Sequence, residues 1–385
     1  MVDVDLFAGA GGLALGMQVA GFDRIKVYEK DPTACETLRH NNESKGATLN
    51  AEIVEGDVRE VDWHGFRGSV RLLAAGAPCQ PFSLGGKHRA QDDERNLFPE
   101  VLRAARALHP KAILIENVQG LLRTEFQDFF EYLLRQLEIP ALAQTKTESW
   151  QDHNARIRRH QCSTSYAPEY QVTWRLLEAA DFGVPQIRKR MFIVATRMGL
   201  PIYRFPGATH SREALLRARA QGTYWAAHGI RKPREFSRPT KLEKANTLLP
   251  WVTVRDALAG LPTAAFDEET SSMNHWTIPG AREYPGHSGS ALDWPSKTIK
   301  AGVHGVPGGE NTVVRDDGGI RYYTLREAAR IQTFPDEHFF KGARIHVTRQ
   351  LGNAVPCLLA AKVARPLFSL LEQCQREAGA AYASV

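Results

Sequence analysis

Between two apolar runs, Val2 to Phe7 and Leu13 to Ala20, lies a turn built of the smallest residues, Ala8-Gly9-Ala10-Gly11-Gly12. The first run predicts a strand and the second a helix. Glycines at such a junction take backbone conformations closed to other residues and let the main chain approach a ligand closely. A second strand, Arg24 to Tyr28, ends at Glu29, where an acid suits the hydroxyls of a ribose. Ile53 to Asp57 predicts a third strand with another carboxylate at its end. Strands and helices alternating in this way predict an α/β fold, a doubly wound, mostly parallel sheet. The spacing Gly9-x-Gly11-x-x-Ala14 also fits a dinucleotide fingerprint, and a plain βαβ unit with surface acids leaves the same trace.

The apolar run Val70 to Ala75 predicts a buried strand and leads into Gly76-Ala77-Pro78-Cys79-Gln80-Pro81-Phe82-Ser83. Two prolines bracket the cysteine, so it belongs to a turn and not to a helix or a ladder. A polar, glycine-hinged, partly basic stretch follows, with Gly85, Gly86, Lys87, His88 and Arg89, then Gln91 to Asn96. A thiol at the edge of a strand beside a cationic loop can have its pKa lowered and act as a nucleophile. A lone cysteine is otherwise more often incidental.

Leu97 to Leu108 predicts a helix and Ala112 to Ile115 a fourth strand, ending in Glu116-Asn117-Val118. A carboxylate at a strand end near a cysteine on the next strand is the geometry of acid-assisted addition. Phe126 to Leu137 is an amphipathic helix. The stretch Gln144 to Gln171 mixes Lys146, Arg156, Arg158, Arg159 and His160 with Glu148, Asp152 and Glu169, as a solvated loop or a phosphate-contacting element would. Val172 to Leu177 and Met191 to Ala195 are strands on either side of Gln186-Ile187-Arg188-Lys189-Arg190. Arginines at i and i+2 of an extended segment share a face and suit a carbonyl, a phosphate or a carboxylate.

From Leu200 to about Lys297 the pattern breaks down. Basic residues (Arg212, Arg217, Arg219, Arg231, Lys232, Arg234) mix with Tyr224, Trp225, Phe236, Trp251 and Trp276, a composition permissive of nucleic-acid contact. Thr324 with Glu327 predicts a capping box at the start of a helix. Gly352-Asn353-Ala354-Val355-Pro356 is expected to open a long apolar helix through Leu371. A net charge of +6 is compatible with a polyanionic partner. The five cysteines show no CxxC spacing, which predicts neither a disulfide framework nor a zinc site and favours a reducing compartment. No signal peptide and no apolar run long enough for a bilayer are expected, and the first motif begins too near Met1 to leave room for an N-terminal regulatory domain.

The segment Ala77-Pro78-Cys79-Gln80-Pro81-Phe82-Ser83 resembles the catalytic loop of DNA (cytosine-5)-methyltransferases, and the family's other blocks follow in its usual order. Asp5 to Gly12 is similar to its S-adenosylmethionine loop, Glu116-Asn117-Val118 to its acid, and Gln186-x-Arg188-x-Arg190 to its arginine block. The resemblance implies a Rossmann-like catalytic domain over 1–197, a smaller irregular target-recognition domain over 198–329 and a return to the catalytic domain over 330–385. It implies Cys79 as nucleophile, Glu116 as the group at cytosine N3, Arg190 at O2 with Arg188 alongside, and Asn117 tying the two loops together. The cofactor, S-adenosylmethionine, would leave as S-adenosylhomocysteine, with no metal. It would contact Phe7, Gly9, Gly11, Gly12, Glu29, Asp57, Val58, Pro78, Leu97, Asn353 and Val355. Lys30 departs from the bulky apolar residue often found beside that glutamate. Gln80, Ser83, Lys87, His88 and Arg89 would contact double-stranded DNA, with 82–96 closing over a flipped-out base. The family habit is a bacterial restriction-modification methylase: cytoplasmic, nucleoid-associated and monomeric, with no membrane, and sharing its site with a cognate endonuclease that it does not bind directly.

Three other readings fit parts of the sequence. One branch of the family methylates tRNA, against which stands the bulk of the 200–297 region. An NAD-dependent oxidoreductase would rest on Gly9-x-Gly11-x-x-Ala14 alone and leave the cysteine, glutamate and arginine blocks unexplained. A catalytically silent DNA binder would not need Cys79, Glu116 and Arg190 together.

Overall fold

The computed structural model describes residues 1–43, 47–78, 97–237, 247–266, 273–282, 288–302 and 311–383. Seven strands form one sheet: β1 (Val2–Leu6), β2 (Ile25–Glu29), β3 (Ala51–Glu55), β4 (Val70–Gly76), β5 (Ala112–Val118), β6 (Tyr170–Glu178) and β7 (Lys189–Arg197). Their order is β3-β2-β1-β4-β5-β7-β6. Strands β1 to β5 run parallel, and β7 is antiparallel to both its neighbours. The order reverses between β1 and β4, so a crevice opens at their C-terminal ends, where open α/β sheets bind ligands.

The uninterrupted apolar character of β4 and β5 follows from burial on both faces. On one face Leu72, Ala74 and Leu114 pack with α1 (Gly12–Ala20) and the last helix of the chain. On the other, Leu73, Ala75, Ile113 and Ile115 pack with α3 (Phe98–Leu108) and α4 (Gln127–Glu138). Between β2 and β3 lies α2 (Pro32–Glu43).

The 144–171 stretch is organised around a helix, α5 (Trp150–Gln161), N-capped by Ser149 and packed on α4. His153 is buried there. Its Nε2 donates to Leu142 O at 2.8 Å and its Nδ1 accepts from Tyr132 Oη at 2.8 Å. The C-terminal end of α5 is tied to Glu138 by Gln161 Nε2 at 2.8 Å, beside the start of β6. Since Tyr170 is level with Arg197 and Ala112 with Thr196, this is the edge of the sheet opposite Glu116. Arg158, Arg159 and His160 therefore stand away from the crevice.

Beyond β7 the chain forms α6 (Arg212–Gln221), α7 (Thr223–Ala227) and α8 (Val254–Leu258). Leu215, Tyr224 and Trp225 make a small core with Phe236, Trp251 and Trp294 around them. The Arg219 guanidinium lies 4.2 Å from the Phe236 ring and 5.4 Å from that of Trp225. Aromatics that the sequence offered as nucleic-acid contacts thus build the interior of this region, and Trp276 is buried as well.

Helix α9 (Leu325–Ile331) carries the expected capping box: Thr324 Oγ1 accepts from Glu327 N at 3.1 Å and Glu327 Oε2 from Thr324 N at 2.9 Å. The next segment differs from expectation. Gly352 and Asn353 close a helix, α10 (Arg344–Asn353), and the long helix α11 (Cys357–Ala383) starts after Pro356. Within Arg344–Glu377 lies a helical stretch long and apolar enough, by length and composition alone, for a membrane span, contrary to the sequence reading. Its cause is core packing, since Val363, Ala364, Leu367 and Leu371 are buried against the sheet and α1.

Candidate active site

The glycine turn brings together residues distant in sequence. Phe7, Gly9 and Gly11 have φ of 62°, 55° and 87°, and the turn closes with Gly11 N donating to Ala8 O at 2.8 Å. Gly9 N donates to Glu29 Oε2 at 2.7 Å. The other Glu29 oxygen accepts from the backbone of Lys30 and Asp31 at 2.8 and 2.7 Å. A Cβ on Gly12 would stand 2.3 Å from Val355 O, so Val355 lies directly against the turn. Asn353 is exposed just before it. Phe7, Gly9, Gly11, Gly12, Glu29 and Val355 thus come together at this turn, with open space in front of Gly9 and Val355 O behind Gly12.

Asp57 and Val58 follow β3. The Asp57 carboxylate is gripped by two cations, with Lys30 Nζ at 2.8 Å and an Arg59 guanidinium nitrogen at 2.6 Å from Oδ2. The Arg59 amide and Nε also donate to Oδ1. These bonds hold its pKa well below the usual carboxylate range. Lys30 thus acts on Asp57 where an apolar neighbour was expected, and Asp57 has less acceptor capacity spare than its position at a strand end suggested. Val58 is buried beneath Arg103, which donates to its carbonyl. Pro78 is half-buried at the exit of β4, and Leu97 stands at the N-terminus of α3.

The sheet register sets Gly76 beside Glu116, three residues before Cys79. On the other side of β5, Val118 faces Arg190. Arg190 Nε lies 2.8 Å from Glu116 Oε1, and both side chains are largely buried. Burial raises the Glu116 pKa, while the Arg190 and Arg188 charges pull it back. Asn117 is buried, with Oδ1 accepting from Val118 N at 2.7 Å and Nδ2 without a partner among the described residues. Cys79, Gln80, Ser83, Lys87, His88 and Arg89 lie outside the described residues. Two of the remaining thiols make poor nucleophiles: burial pushes Cys35 up to about 12 and raises Cys357 as well.

Arg188 does not join Arg190 at the crevice. Its fully buried guanidinium donates to the backbone oxygens of Ile299, Gly352 and Ala354 and, at 3.4 Å, to Gln186 Oε1. Sequence reasoning also missed Gln332, whose Nε2 reaches Leu351 O and Ala354 O. Backbone oxygens as partners leave no trace in a sequence.

A family model for C-5 cytosine-specific DNA methylases matches residues 1–139 and 151–369. The chain belongs to this family. This methylase is therefore a DNA cytosine-5 methyltransferase, and its membership implies S-adenosylmethionine as the methyl donor. The oxidoreductase reading of the glycine turn falls. The methylase is 30% identical over 378 residues to the Type II methyltransferase M.NgoMIV of Neisseria gonorrhoeae, covering 96% of this chain and 98% of the relative. It is 32% identical to the Type II methyltransferase M.Eco47II of Escherichia coli over 96% of this chain and 79% of the relative. Its fold is that of solved structures of the S. pombe Dnmt2 methyltransferase (TM-score 0.55, 18% identity, 97% of this chain and 99% of that one) and of the Entamoeba histolytica methyltransferase EhMeth (TM-score 0.57, 15% identity, 96% and 98%). The residues 140–150 that the family model skips are the approach to α5.

Proposed function

We propose that this methylase modifies C5 of a cytosine flipped out of a specific double-stranded DNA sequence, through a covalent bond between Cys79 and C6. The observation that carries the reading is the buried Glu116–Arg190 pair at the strand ends, one strand from the turn that leads to Cys79. The target carbon is inaccessible inside a duplex, and extrusion costs a few kcal/mol.

The chain's own residues divide the work. The Cys79 thiolate adds to C6, and the C5–C6 electron pair moves toward C5. Glu116, whose pKa burial raises, donates a proton to N3 so that charge does not accumulate on the ring, and takes it back as the thiolate leaves. Arg190 donates to O2 and fixes the Glu116 carboxyl. When bound, S-adenosylmethionine supplies an electrophilic methyl group to C5 from its sulfonium. A base, which a water can supply, then takes the C5 proton; its electron pair restores the C5–C6 double bond and the thiolate leaves. The group of Phe7, Gly9, Gly11, Gly12 and Glu29, with Asp57, Val58, Pro78, Leu97, Asn353 and Val355, is the assigned cofactor pocket. Gln80, Ser83, Lys87, His88 and Arg89 are assigned to the DNA. The working division is catalysis over 1–197, target recognition over 198–329 and pocket completion over 330–385. The enzyme acts as a monomer on bacterial nucleoid DNA in the cytoplasm. Its Type II relatives support a restriction-modification role beside an endonuclease that shares the site without binding it.

The test is bisulfite sequencing of unmethylated plasmid treated with enzyme and S-adenosylmethionine. Protected cytosines confined to one short motif are expected, with Cys79→Ser abolishing protection while DNA binding persists. Protection absent from every context, or modification of tRNA instead, refutes the DNA reading. Turnover of Cys79→Ser above about a hundredth of wild type refutes the nucleophile.

A further inference from the structure

The backbone amide of Arg188 donates to Glu178 Oε1 at 2.6 Å, while its buried guanidinium hydrogen-bonds no carboxylate among the described residues. One of its terminal nitrogens donates to Gly352 O at 2.7 Å and Ala354 O at 3.1 Å, and the other to Ile299 O at 3.1 Å. Desolvating a guanidinium is costly unless polar groups replace the lost water. Here they are the carbonyls on either side of Asn353, whose own side chain points outward. Gln332 adds a second grip on the same turn, through Leu351 O and Ala354 O. Gln186 links the two: its Nε2 donates to Gln332 Oε1 at 2.9 Å and its Oε1 accepts from Ile299 N at 3.0 Å. Gln186, Arg188 and Gln332 are all 0–1% exposed.

Two residues further along the chain, at the start of β7, Arg190 holds Glu116. One short segment therefore carries the group that anchors the Asn353–Val355 turn against Gly12 and the group assigned to the target base. A packed link of this kind, in which both terminal nitrogens of the guanidinium are hydrogen-bonded and Nε has no partner among the described residues, transmits displacement, because its members cannot move independently.

We propose that Arg188 is a positioning residue that couples the two pockets: through it, filling the cofactor site at the Asn353 turn strengthens binding of DNA at the Glu116–Arg190 pair, and the reverse. The proposal rests on the assignment of these pockets made above. By linkage the coupling is the same in both directions.

The experiment measures DNA affinity by fluorescence anisotropy with and without saturating S-adenosylhomocysteine, and S-adenosylhomocysteine affinity by titration calorimetry with and without DNA. All measurements are made well below each variant's melting temperature. In the wild type the product should tighten DNA binding on the order of tenfold. In Arg188→Lys, which keeps the charge but loses the fork, the ratio should fall to within about twofold of one while binding to DNA alone changes less. Gln332→Leu, which removes only the second grip, should lower the ratio part-way and serves where Arg188→Lys does not fold. A wild-type ratio of one, or an unchanged ratio in a folded variant, overturns the proposal. A wild type that fails to methylate DNA at all overturns instead the functional assignment beneath it.

Discussion

Glu116 Oε1 and Arg190 Nε are 2.8 Å apart at the open ends of β5 and β7, in a place where burial and charge oppose each other. Burial alone would keep Glu116 protonated, and the arginine alone would keep it ionised. The balance leaves an acid whose pKa lies above that of an ordinary glutamate, which suits a group that must donate to N3.

Glu116→Gln should lower kcat by about 10²–10⁴-fold, the usual weight of a positioned acid, with DNA binding largely kept. The pH profile gives the sign. A raised pKa means that the acid form persists from low pH upward and is lost as pH rises through the folded-state value, so wild-type kcat should fall on that limb. The limb should vanish in Glu116→Gln. Single-turnover rates against pH check both outcomes, and a variant that retains the limb would remove Glu116 from the acid's role.

Asp5 is fully buried beneath the glycine turn, with neither carboxyl oxygen hydrogen-bonded at good geometry among the described residues. Burial first, and Glu29 second, push its pKa up to about 8. Because the folded-state value exceeds the unfolded one, its favourable contribution is complete below the ordinary range and is lost as pH rises toward 8. Asp5→Asn should therefore gain stability relative to wild type across that window, by at most about 1.4 kcal/mol per pH unit. Urea midpoints at several pH values measure it, and parallel curves for the two proteins would contradict the expectation.

Two glycines of α1 should part company. A Cβ at Gly12 would meet Val355 O at 2.3 Å, and one at Gly16 would meet the Ala360 Cβ at 2.3 Å. Gly16→Ala should lower stability by about 1–3 kcal/mol, as overpacking does, with cofactor affinity per folded molecule unchanged. Gly12→Ala should weaken S-adenosylhomocysteine binding at least tenfold by displacing the Val355 turn, a loss of about 1.4 kcal/mol. Calorimetric Kd and thermal midpoints, compared side by side, separate the two.

Arg71 donates to both oxygens of the fully buried Asp3 at 3.0 and 2.7 Å, and also reaches Glu372 at 2.8 Å. Arg71→Met would leave Asp3 as an unpaired buried carboxylate and should cost about 3–5 kcal/mol. Glu372→Gln, at the half-exposed end of the network, should cost at most about 1 kcal/mol. Equal losses in the two variants would show that the stabilisation does not lie in the Asp3 contact.

The parts of this molecule that a sequence displays are those whose partners are local or whose residue type is unusual for its place. Glu29 and the glycine turn were legible because strand, turn and acid recur at a fixed spacing. Glu116 and Arg190 stood out only through their resemblance to the family's glutamate and arginine blocks, since a polar residue at a strand end is usually just solvated; the fold brings the two side chains together. Arg188 was not legible, because its spacing to Arg190 predicts a shared face while its destination is a set of backbone carbonyls over a hundred residues away. Helix α5 was hidden by its polarity: only His153 and Ile157 of it are buried, too few to show an apolar stripe. The aromatics of 200–297 could be read only as permissive of nucleic-acid contact, for a related reason, and several of them build the interior of the region. Composition cannot distinguish a ring that stacks on a base from one that stacks on Arg219.

The pairing of α1 with α11, nearly a whole chain length apart, sets when the enzyme becomes one. A ribosome releasing about 5–20 residues per second leaves the glycine turn waiting for its partner for tens of seconds. During that interval Gly12 has no Val355 behind it, Arg71 has no Glu372, and the face of β4 that carries Leu72 and Ala74 lacks the part of its cover that α11 supplies. Nascent chains stalled before α11 should therefore bind no S-adenosylhomocysteine, while chains extended through it should bind on release; retention of a labelled analogue on stalled ribosomes would contradict this. On this expectation the last helix times the enzyme: cofactor binding waits until α11 has packed on α1.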